Sequence, residues 1–342
     1  MEPLILGALL VISFLVAFSI GGNDEAMAPA VGAKVFTVRA AVLIGAFITV
    51  IGAVSLGGNV SEKVGSDMVG GLEMSIDMVF AILISMAIWL LLASISKGLP
   101  ISTTQCIVGS VIGVAIFAPF LGYAEWGIGV VNWNVVLEIF VGWIISPLIG
   151  FFFAAAIFAV VRRIQKRAKG FSDFERQEKI ASYLLAAFLI LTSLSRGGND
   201  VANAISPLVV LPDFLGTYDL GFMTIPRYLI PLLVGGIGMA LGLIVVGRKV
   251  IKTLATEVVT LSPSSALSAS ISVAVIMFVG TLFGFPLSGT HLLVAALIAV
   301  GWISETPVQM KQVKDILVSW VVTVPISALF AVIVFWFTNG LF

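Results

Sequence analysis

The chain has 342 residues, of which 60% are hydrophobic and only 11% are charged. A soluble domain usually carries about twice that charged fraction, so the composition excludes an ordinary soluble enzyme or binding domain. The formal net charge is zero, which gives no indication of a nucleic-acid partner, and the single cysteine, Cys106, excludes an internal disulfide and a cysteine-rich metal site.

Uncharged apolar runs follow one another along the chain. A membrane-spanning helix needs about 20 apolar residues, and runs such as Met78–Ser94 and Phe140–Val161 approach or exceed that length without a charge. The sequence therefore predicts an all-α polytopic protein, which we expect in the plasma (inner) membrane. The first apolar run has no basic segment before it and leads straight into Gly21–Asp24 (GGND), so we expect no cleavable signal peptide.

Both parts of the chain follow the same predicted plan. An apolar helix ends at GGND, and a second apolar stretch follows, then a polar loop and an apolar segment that leads into a Pro-x-Ser loop. Another apolar segment leaves that loop, and a last helix carries an internal proline. The second stretches and their loops are Val38–Leu56 with Gly57–Gly71, and Leu229–Val246 with Arg248–Ser265.

The longest polar segment, Arg162–Lys179, separates the two parts. It holds seven basic residues against three acidic ones, so the positive-inside rule places it in the cytoplasm. We predict a first transmembrane repeat at residues 1–161, a basic cytoplasmic linker at 162–179 and a second transmembrane repeat at 180–342.

Paired motifs indicate an internal duplication. GGNDEAMAP at Gly21–Pro29 matches GGNDVANAISP at Gly197–Pro207, and KGLPISTTQ at Lys97–Gln105 matches FGFPLSGTH at Phe283–His291. The pairs recur in the same order at nearly one spacing. If each half holds an odd number of membrane segments, the halves are inverted, as in secondary transporters whose sites lie at the repeat interface.

The Pro-x-Ser loops predict broken helices inside the membrane. The apolar flanks of Gly98–Pro100 are short for a crossing and return, so we expect two half-helices meeting where the broken backbone faces protein or water. The first turn of the outgoing helix then holds Ser102, Thr103 and Thr104, and its positive amino end suits an anion. The second loop repeats the pattern with Ser288, Gly289, Thr290 and His291. Ordinary helix capping is the alternative explanation.

The two GGND motifs predict cation binding. A carboxylate at membrane depth costs about 2.5–3.5 kcal/mol on insertion scales, and such residues usually mark ion or substrate paths. Paired glycines let a helix unwind and expose carbonyl oxygens, and hard oxygen ligands suit a hard cation such as Na⁺. A kinked helix with an Asn–Asp cap is the alternative. The candidate cation ligands are Gly21, Asn23, Asp24, Gly197, Asn199 and Asp200.

Phosphate and a coupling cation explain both motifs together. A phosphate that still bears a proton can donate a hydrogen bond to Asp24 or Asp200, which sulfate cannot do. Each charge that crosses 100 mV changes the free energy by about 2.3 kcal/mol, so co-transported Na⁺ or H⁺ would drive the anion inward. The sequence has no phosphate loop for ATP. We therefore expect no enzyme and no cofactor other than the coupling ion.

The quoted motifs, with GLPISTTQCIVGSVIG, GFPLSGTHLLVAALIAVG and GGIGMALGLIVVGRKVIKTL, resemble the inorganic phosphate transporter (PiT) family over essentially the whole chain. The resemblance implies two inverted repeats of about 10–12 transmembrane helices in all, with two re-entrant helical hairpins, which import phosphate with Na⁺ or H⁺. By position it implicates Asn23, Asp24, Asn199, Asp200, Ser102–Gln105 and Ser288–His291.

Several residues depart from that family's pattern. The family commonly has Ser-Thr-Thr-His in both loops, whereas Gln105 replaces the first histidine and Gly289 replaces a threonine. Many members carry a glutamate where Thr49 and Ser270 align. These departures leave open the number and identity of the cations and the choice between phosphate and sulfate.

Three further residues lie next to the motifs. His291, the chain's single histidine, either contacts the anion or has a structural role. Arg196 precedes the second GGND and either attracts the anion, anchors the helix at the interface or pairs with an acid. Glu25 is a weak candidate cation ligand.

Other functions stay open on the sequence alone. They are a sulfate or other oxyanion symporter, a passive anion channel, and an intramembrane protease that uses Asp24 and Asp200. The expected partners are inorganic phosphate, Na⁺ or H⁺ and the lipid bilayer, with no nucleic acid. A homodimer is also open.

Overall fold

The computed structural model describes residues 3–65, 67–96, 101–209, 211–219, 221, 224–257 and 260–340. These residues are mostly helical, as expected for a backbone that must satisfy its own hydrogen bonds in lipid. The first part contains α1 (Pro3–Gly22), α2 (Ala28–Gly32), α3 (Val38–Gly65), α4 (Ile76–Ser96), α5 (Thr103–Phe117) and α6 (Trp133–Gln165). The second part contains α7 (Phe171–Val209), α8 (Leu229–Val245), α9 (Arg248–Glu257), α10 (Pro263–Leu282), α11 (Gly289–Ser304) and α12 (Met310–Thr338).

Eight of the described helices are long and apolar enough to cross a membrane, namely α1, α3, α4, α5, α6, α7, α10 and α12. The helices α8 and α9 meet at a bend of 62° and together make a ninth candidate span, and α11 is a shorter apolar helix. The predicted fold class, an all-α polytopic membrane protein, is confirmed.

Several helices run further than the sequence predicted. Helix α3 continues to Gly65, through most of the expected polar loop at 57–71, and α9 occupies much of the loop expected at 248–265. Within the predicted linker only residues 166–170 lie outside helices. Glycines and polar residues lower helix propensity without ending a helix, so composition alone placed these boundaries too early. The internal prolines of the last helices are confirmed as Pro147 in α6 and Pro325 in α12.

The two halves of the sequence interlock. Helix α3 packs along α7, and α1 packs along α8. The α4–α5 pair lies against α12, and the α10–α11 pair lies against α6. Each half therefore supplies the packing partner of the other half, so the repeats predicted at 1–161 and 180–342 do not form separate bodies. Outside the helices, β1 (Thr217–Asp219) and β2 (Thr224–Pro226) pair antiparallel, with Tyr218 opposite Ile225.

Candidate functional site

The two GGND motifs adopt different backbone conformations. Helix α1 ends at Gly22, and the segment from Asn23 to Met27 connects it to α2. There the Asp24 carboxylate accepts a hydrogen bond from the Ala26 amide at 3.0 Å. The second motif lies inside the continuous helix α7. The expectation that both motifs unwind is therefore wrong for Gly197–Asp200, where the backbone is helical and its carbonyls are directed along the helix ladder.

The first glycine of each motif lies at a close helix contact. A Cβ on Gly197 would come 2.5 Å from the Thr49 carbonyl oxygen of α3, and one on Gly21 would overlap the backbone of Met239 in α8. These two positions exclude any side chain because the backbones of the two halves touch there. The glycines thus set the packing of α7 on α3 and of α1 on α8.

Arg196 joins the two motifs through buried ion pairs. Its Nη1 lies 2.8 Å from Oε1 of Glu25 and 3.2 Å from Oδ1 of Asp24, and its Nη2 lies 3.2 Å from Oδ2 of Asp200. Its Nε also donates to that Asp200 oxygen at 3.2 Å. All four side chains are at most 4% exposed. Of the alternatives for Arg196, the structure shows the pairing with acidic residues. Glu25, the weak candidate cation ligand, forms an ion pair with the same guanidinium.

The Pro-x-Ser loops end at two helix starts. Ser102 caps α5 by accepting from the Gln105 amide, and Ser288 caps α11 by accepting from the His291 amide, both at 3.3 Å. Both caps are buried, and so are the first turns of α5 and α11, whose leading N–H groups have no partner within their own helix. The break predicted at Gly98–Pro100 lies outside the described residues.

Contacts across the halves bring these helix starts to the acidic cluster. The Thr103 hydroxyl donates to Oδ1 of Asp200 at 3.4 Å and accepts from Nδ2 of Asn203 at 3.0 Å. The Thr104 hydroxyl donates to the carbonyl of Leu287 at 3.2 Å. The start of α5 therefore touches both the second GGND motif and the loop before α11.

The start of α11 reaches the same cluster. A Cβ on Gly289 would come 2.5 Å from Nε of Arg196, so the guanidinium packs directly on this glycine. Thr290 is buried in the first turn of α11. His291 is buried with its ring 3.8 Å from that of Trp320, and Gln105 is buried in the first turn of α5.

The motif asparagines tie the helix pairs to the GGND segments. Asn23 donates to the Ser94 hydroxyl at 3.0 Å and accepts from the Ile101 amide at 2.9 Å. Asn199 donates to the Thr281 hydroxyl at 3.2 Å and to the Phe285 carbonyl at 2.8 Å. Asn23 thus joins the end of α4 to the residue before the α5 cap, and Asn199 joins the end of α10 to the loop that follows it, roles that the sequence did not predict.

Sequence reasoning also missed the central position of Arg196 and the contact of Asn203 with Thr103. The sequence did hold a signal for the position of Arg196, because a basic residue at membrane depth requires an acidic partner. Of the departing positions, Thr49 and Ser270 are buried, and their hydroxyls have no hydrogen-bond partner within the described part of the chain.

The cluster can hold charges of both signs. Three carboxylates face one guanidinium, so with all four groups ionised the cluster carries two uncompensated negative charges. Uncompensated buried charge is costly, which favours the uptake of cations. Beside it lie two helix amino ends, which favour an anion.

Comparisons with known proteins agree with this chemistry. Residues 20–331 match the model of the phosphate transporter family. Curated relatives named "Putative phosphate permease" include one from Pyrococcus horikoshii, 29% identical over 95% of this chain and 96% of its own length. Another, from Chlamydia muridarum, is 29% identical over 96% of this chain and 97% of its own length.

A solved structure has the same fold over nearly the full length. It is described as "The sodium-dependent phosphate transporter" and aligns with a TM-score of 0.83 at 27% identity, covering 99% of this chain and 100% of that chain. The family match spans most of the sequence, and a family of transporters excludes the protease alternative. The chain belongs to the phosphate transporter family.

Proposed function

We propose that this chain imports inorganic phosphate across the plasma membrane by alternating access, coupled to Na⁺, with H⁺ as the alternative coupling ion. The observation that carries the proposal is the convergence of both capped helix starts and both GGND aspartates in one buried cluster. Thr103 joins the start of α5 to Asp200, and Gly289 packs the start of α11 against Arg196. The sodium dependence named for the similar solved structure supports Na⁺.

Phosphate would bind at the amino ends of α5 and α11. Backbone N–H groups of the first turns and the helix dipole favour an anion there, and the Ser102 hydroxyl adds a donor on one side. The hydroxyls of Thr103 and Thr104, which here donate to Asp200 and to the Leu287 carbonyl, would turn toward the phosphate. On the other side the proposed ligands are Ser288, Gly289, Thr290 and His291. Gln105 completes the set.

Cations would bind on the acidic side of the same cluster. Asp24 and Asp200 lie on opposite sides of Arg196, and the excess of carboxylates leaves negative charge for Na⁺ to neutralise. Carboxylate and amide oxygens are suitable ligands for a hard cation. Each additional cation that enters a cell at 100 mV, negative inside, contributes about 2.3 kcal/mol to phosphate accumulation.

The pseudo-symmetry of the contacts supports inverted repeats that alternate around this site. Asn23 and Asn199 hold the equivalent loops of their own halves, and the GGND helix of each half packs on the second long helix of the other half. Transporters of this kind rock one repeat against the other around a site at the bilayer midplane. The cytoplasmic position of the 162–179 linker stays a prediction of the sequence.

Sulfate is the second candidate substrate, because Gln105 and Gly289 alter the first turns of both helices. Asp200, which already accepts from Thr103, favours an anion that can donate a hydrogen bond, and only phosphate does so near neutral pH.

The test is uptake of radiolabelled phosphate into proteoliposomes under separate Na⁺ and proton gradients, with sulfate as competitor. We expect accumulation driven by the Na⁺ gradient and unaffected by excess sulfate. Accumulation with the proton gradient alone would assign H⁺, and equilibration that ignores both gradients would show a passive anion channel and contradict the proposal.

A further inference from the structure

The guanidinium of Arg196 occupies the centre of the acidic cluster. Three of its nitrogens are used, because Nε and Nη2 contact Asp200 while Nη1 contacts Glu25 and Asp24. These acids come from the loop after α1 and from α7, so one guanidinium bridges the two halves. A bound metal cation would be surrounded in the same way, by carboxylate oxygens from both of these segments.

Gly289 provides the space that the guanidinium needs. A Cβ at this position would lie 2.5 Å from Nε, 2.9 Å from Cζ and 3.0 Å from Cδ of Arg196. A Cβ there would force these buried Arg196 atoms to shift, so the present position of the guanidinium requires a glycine at residue 289.

We propose that Arg196 is a tethered cation that takes the place of one mobile coupling ion. The protein would thereby carry one cation fewer with each phosphate than the same cluster would without the guanidinium. The inference rests on the proposed function, since it concerns the cations of the same transport cycle. The guanidinium neutralises one of the three carboxylates permanently and stays with the protein when the substrate leaves. Without it, the cluster would need one more cation from solution to bind phosphate.

The test measures the net charge moved with each phosphate in proteoliposomes, from the membrane voltage at which labelled-phosphate flux is zero under fixed ion gradients. We expect Arg196→Met to move one more positive charge per phosphate than the wild type. Arg196→Lys, which keeps the charge, should keep the wild-type value. Arg248→Met, which removes an exposed arginine at the start of α9, is the matched control for charge loss and should also keep it.

A second variant separates the charge effect from a failure to fold. In Glu25→Gln with Arg196→Met, one negative and one positive group are removed together, so we expect the wild-type charge per phosphate. The inference would be overturned if this double variant moved more charge per phosphate than the wild type. It would also be overturned if Arg196→Met transported phosphate with an unchanged charge per phosphate. A folded Arg196→Met that takes up no phosphate at any Na⁺ concentration would overturn it as well, because a mobile ion could not then replace the guanidinium.

The result is distinct from a failure of the proposed function. If wild-type uptake ignores the cation gradients, the coupled mechanism itself is wrong. If wild-type uptake is coupled and the zero-flux voltage of Arg196→Met does not shift, only the tethered-cation role is wrong.

Discussion

The two GGND motifs have the same four residues and different structures. In the first, α1 stops at Gly22 and the chain is non-helical until α2 begins at Ala28. In the second, α7 continues through the motif to Val209. A proline has no N–H to donate to the carbonyl of the residue four positions before it. Pro29 therefore leaves the Glu25 carbonyl, directly after the first motif, without this helical hydrogen bond. Pro207 lies near the end of α7, beyond the second motif.

The comparison teaches that neighbouring residues determine what the same motif does. The break after Gly22 lets Glu25 and Asp24 turn together toward Arg196, whose own helix holds Asp200 one turn later. The first motif thus contributes two acids from an irregular segment, and the second contributes one acid and a base from a rigid helix.

Removing either aspartate charge should give the largest loss. We expect Asp24→Asn and Asp200→Asn to lower coupled phosphate uptake by roughly 100-fold or more, because breaking a buried ion pair costs about 3–5 kcal/mol. Initial uptake rates in proteoliposomes measure this. The control is Asp173→Asn on the exposed start of α7, and normal coupled uptake by either site variant would contradict the assignment.

A methyl group should cost more at Gly197 of the second motif than at Gly22 of the first. Alanine at Gly197 would place a methyl group against the Thr49 backbone, so we expect Gly197→Ala to destabilise the fold by about 1–3 kcal/mol, as overpacking does. The matched change Gly22→Ala meets the Val246 side chain at 3.1 Å, which can shift, so its cost should be well below that of Gly197→Ala. Thermal unfolding of the purified variants compares them, and equal losses would show that the α3–α7 contact is not the constraint.

The asparagines should have matched effects despite their different backbones. Asn23→Ala removes the hydrogen bonds to Ser94 and Ile101, and Asn199→Ala removes those to Thr281 and Phe285. An unpaired buried polar group costs about 1–3 kcal/mol, so we expect both variants to unfold at lower temperature and to transport more slowly. An effect confined to Asn23 would show that only the irregular motif needs its asparagine.

The two serine caps should give the smallest effects. Ser102→Ala and Ser288→Ala each remove one cap, worth about 1 kcal/mol, so the phosphate concentration for half-maximal uptake should rise by about 5-fold in each. Concentration dependence of uptake is the measurement. An unchanged value in one variant would remove that helix start from the phosphate site.

Much of the architecture could be predicted from the sequence, because each feature had a local cause. Apolar length predicted the membrane helices, and the paired motifs predicted which segments meet. Ser102 and Ser288 cap α5 and α11, which is the role that the alternative of ordinary helix capping gives them. These properties depend on a few neighbouring residues.

What could not be predicted depends on contacts between distant residues. The role of Gly197 requires knowing that Thr49 lies against it, and the role of Gly289 requires knowing that Arg196 does. The two GGND motifs adopt different backbone conformations although their four residues are identical. Motif identity alone carries none of this information.

In the proposed function, the amino ends of α5 and α11 form one anion site beside the acidic cluster. The most direct test is the structure of the protein with arsenate, a tetrahedral analogue of phosphate that anomalous scattering locates. We expect one arsenic peak between the two helix starts, with the arsenate within hydrogen-bond distance of the first turns that Ser102 and Ser288 cap. A peak at only one helix start, or in the pocket of about 440 Å³ lined by Gly58, Glu73 and Tyr228 and none between the two helices, would contradict it.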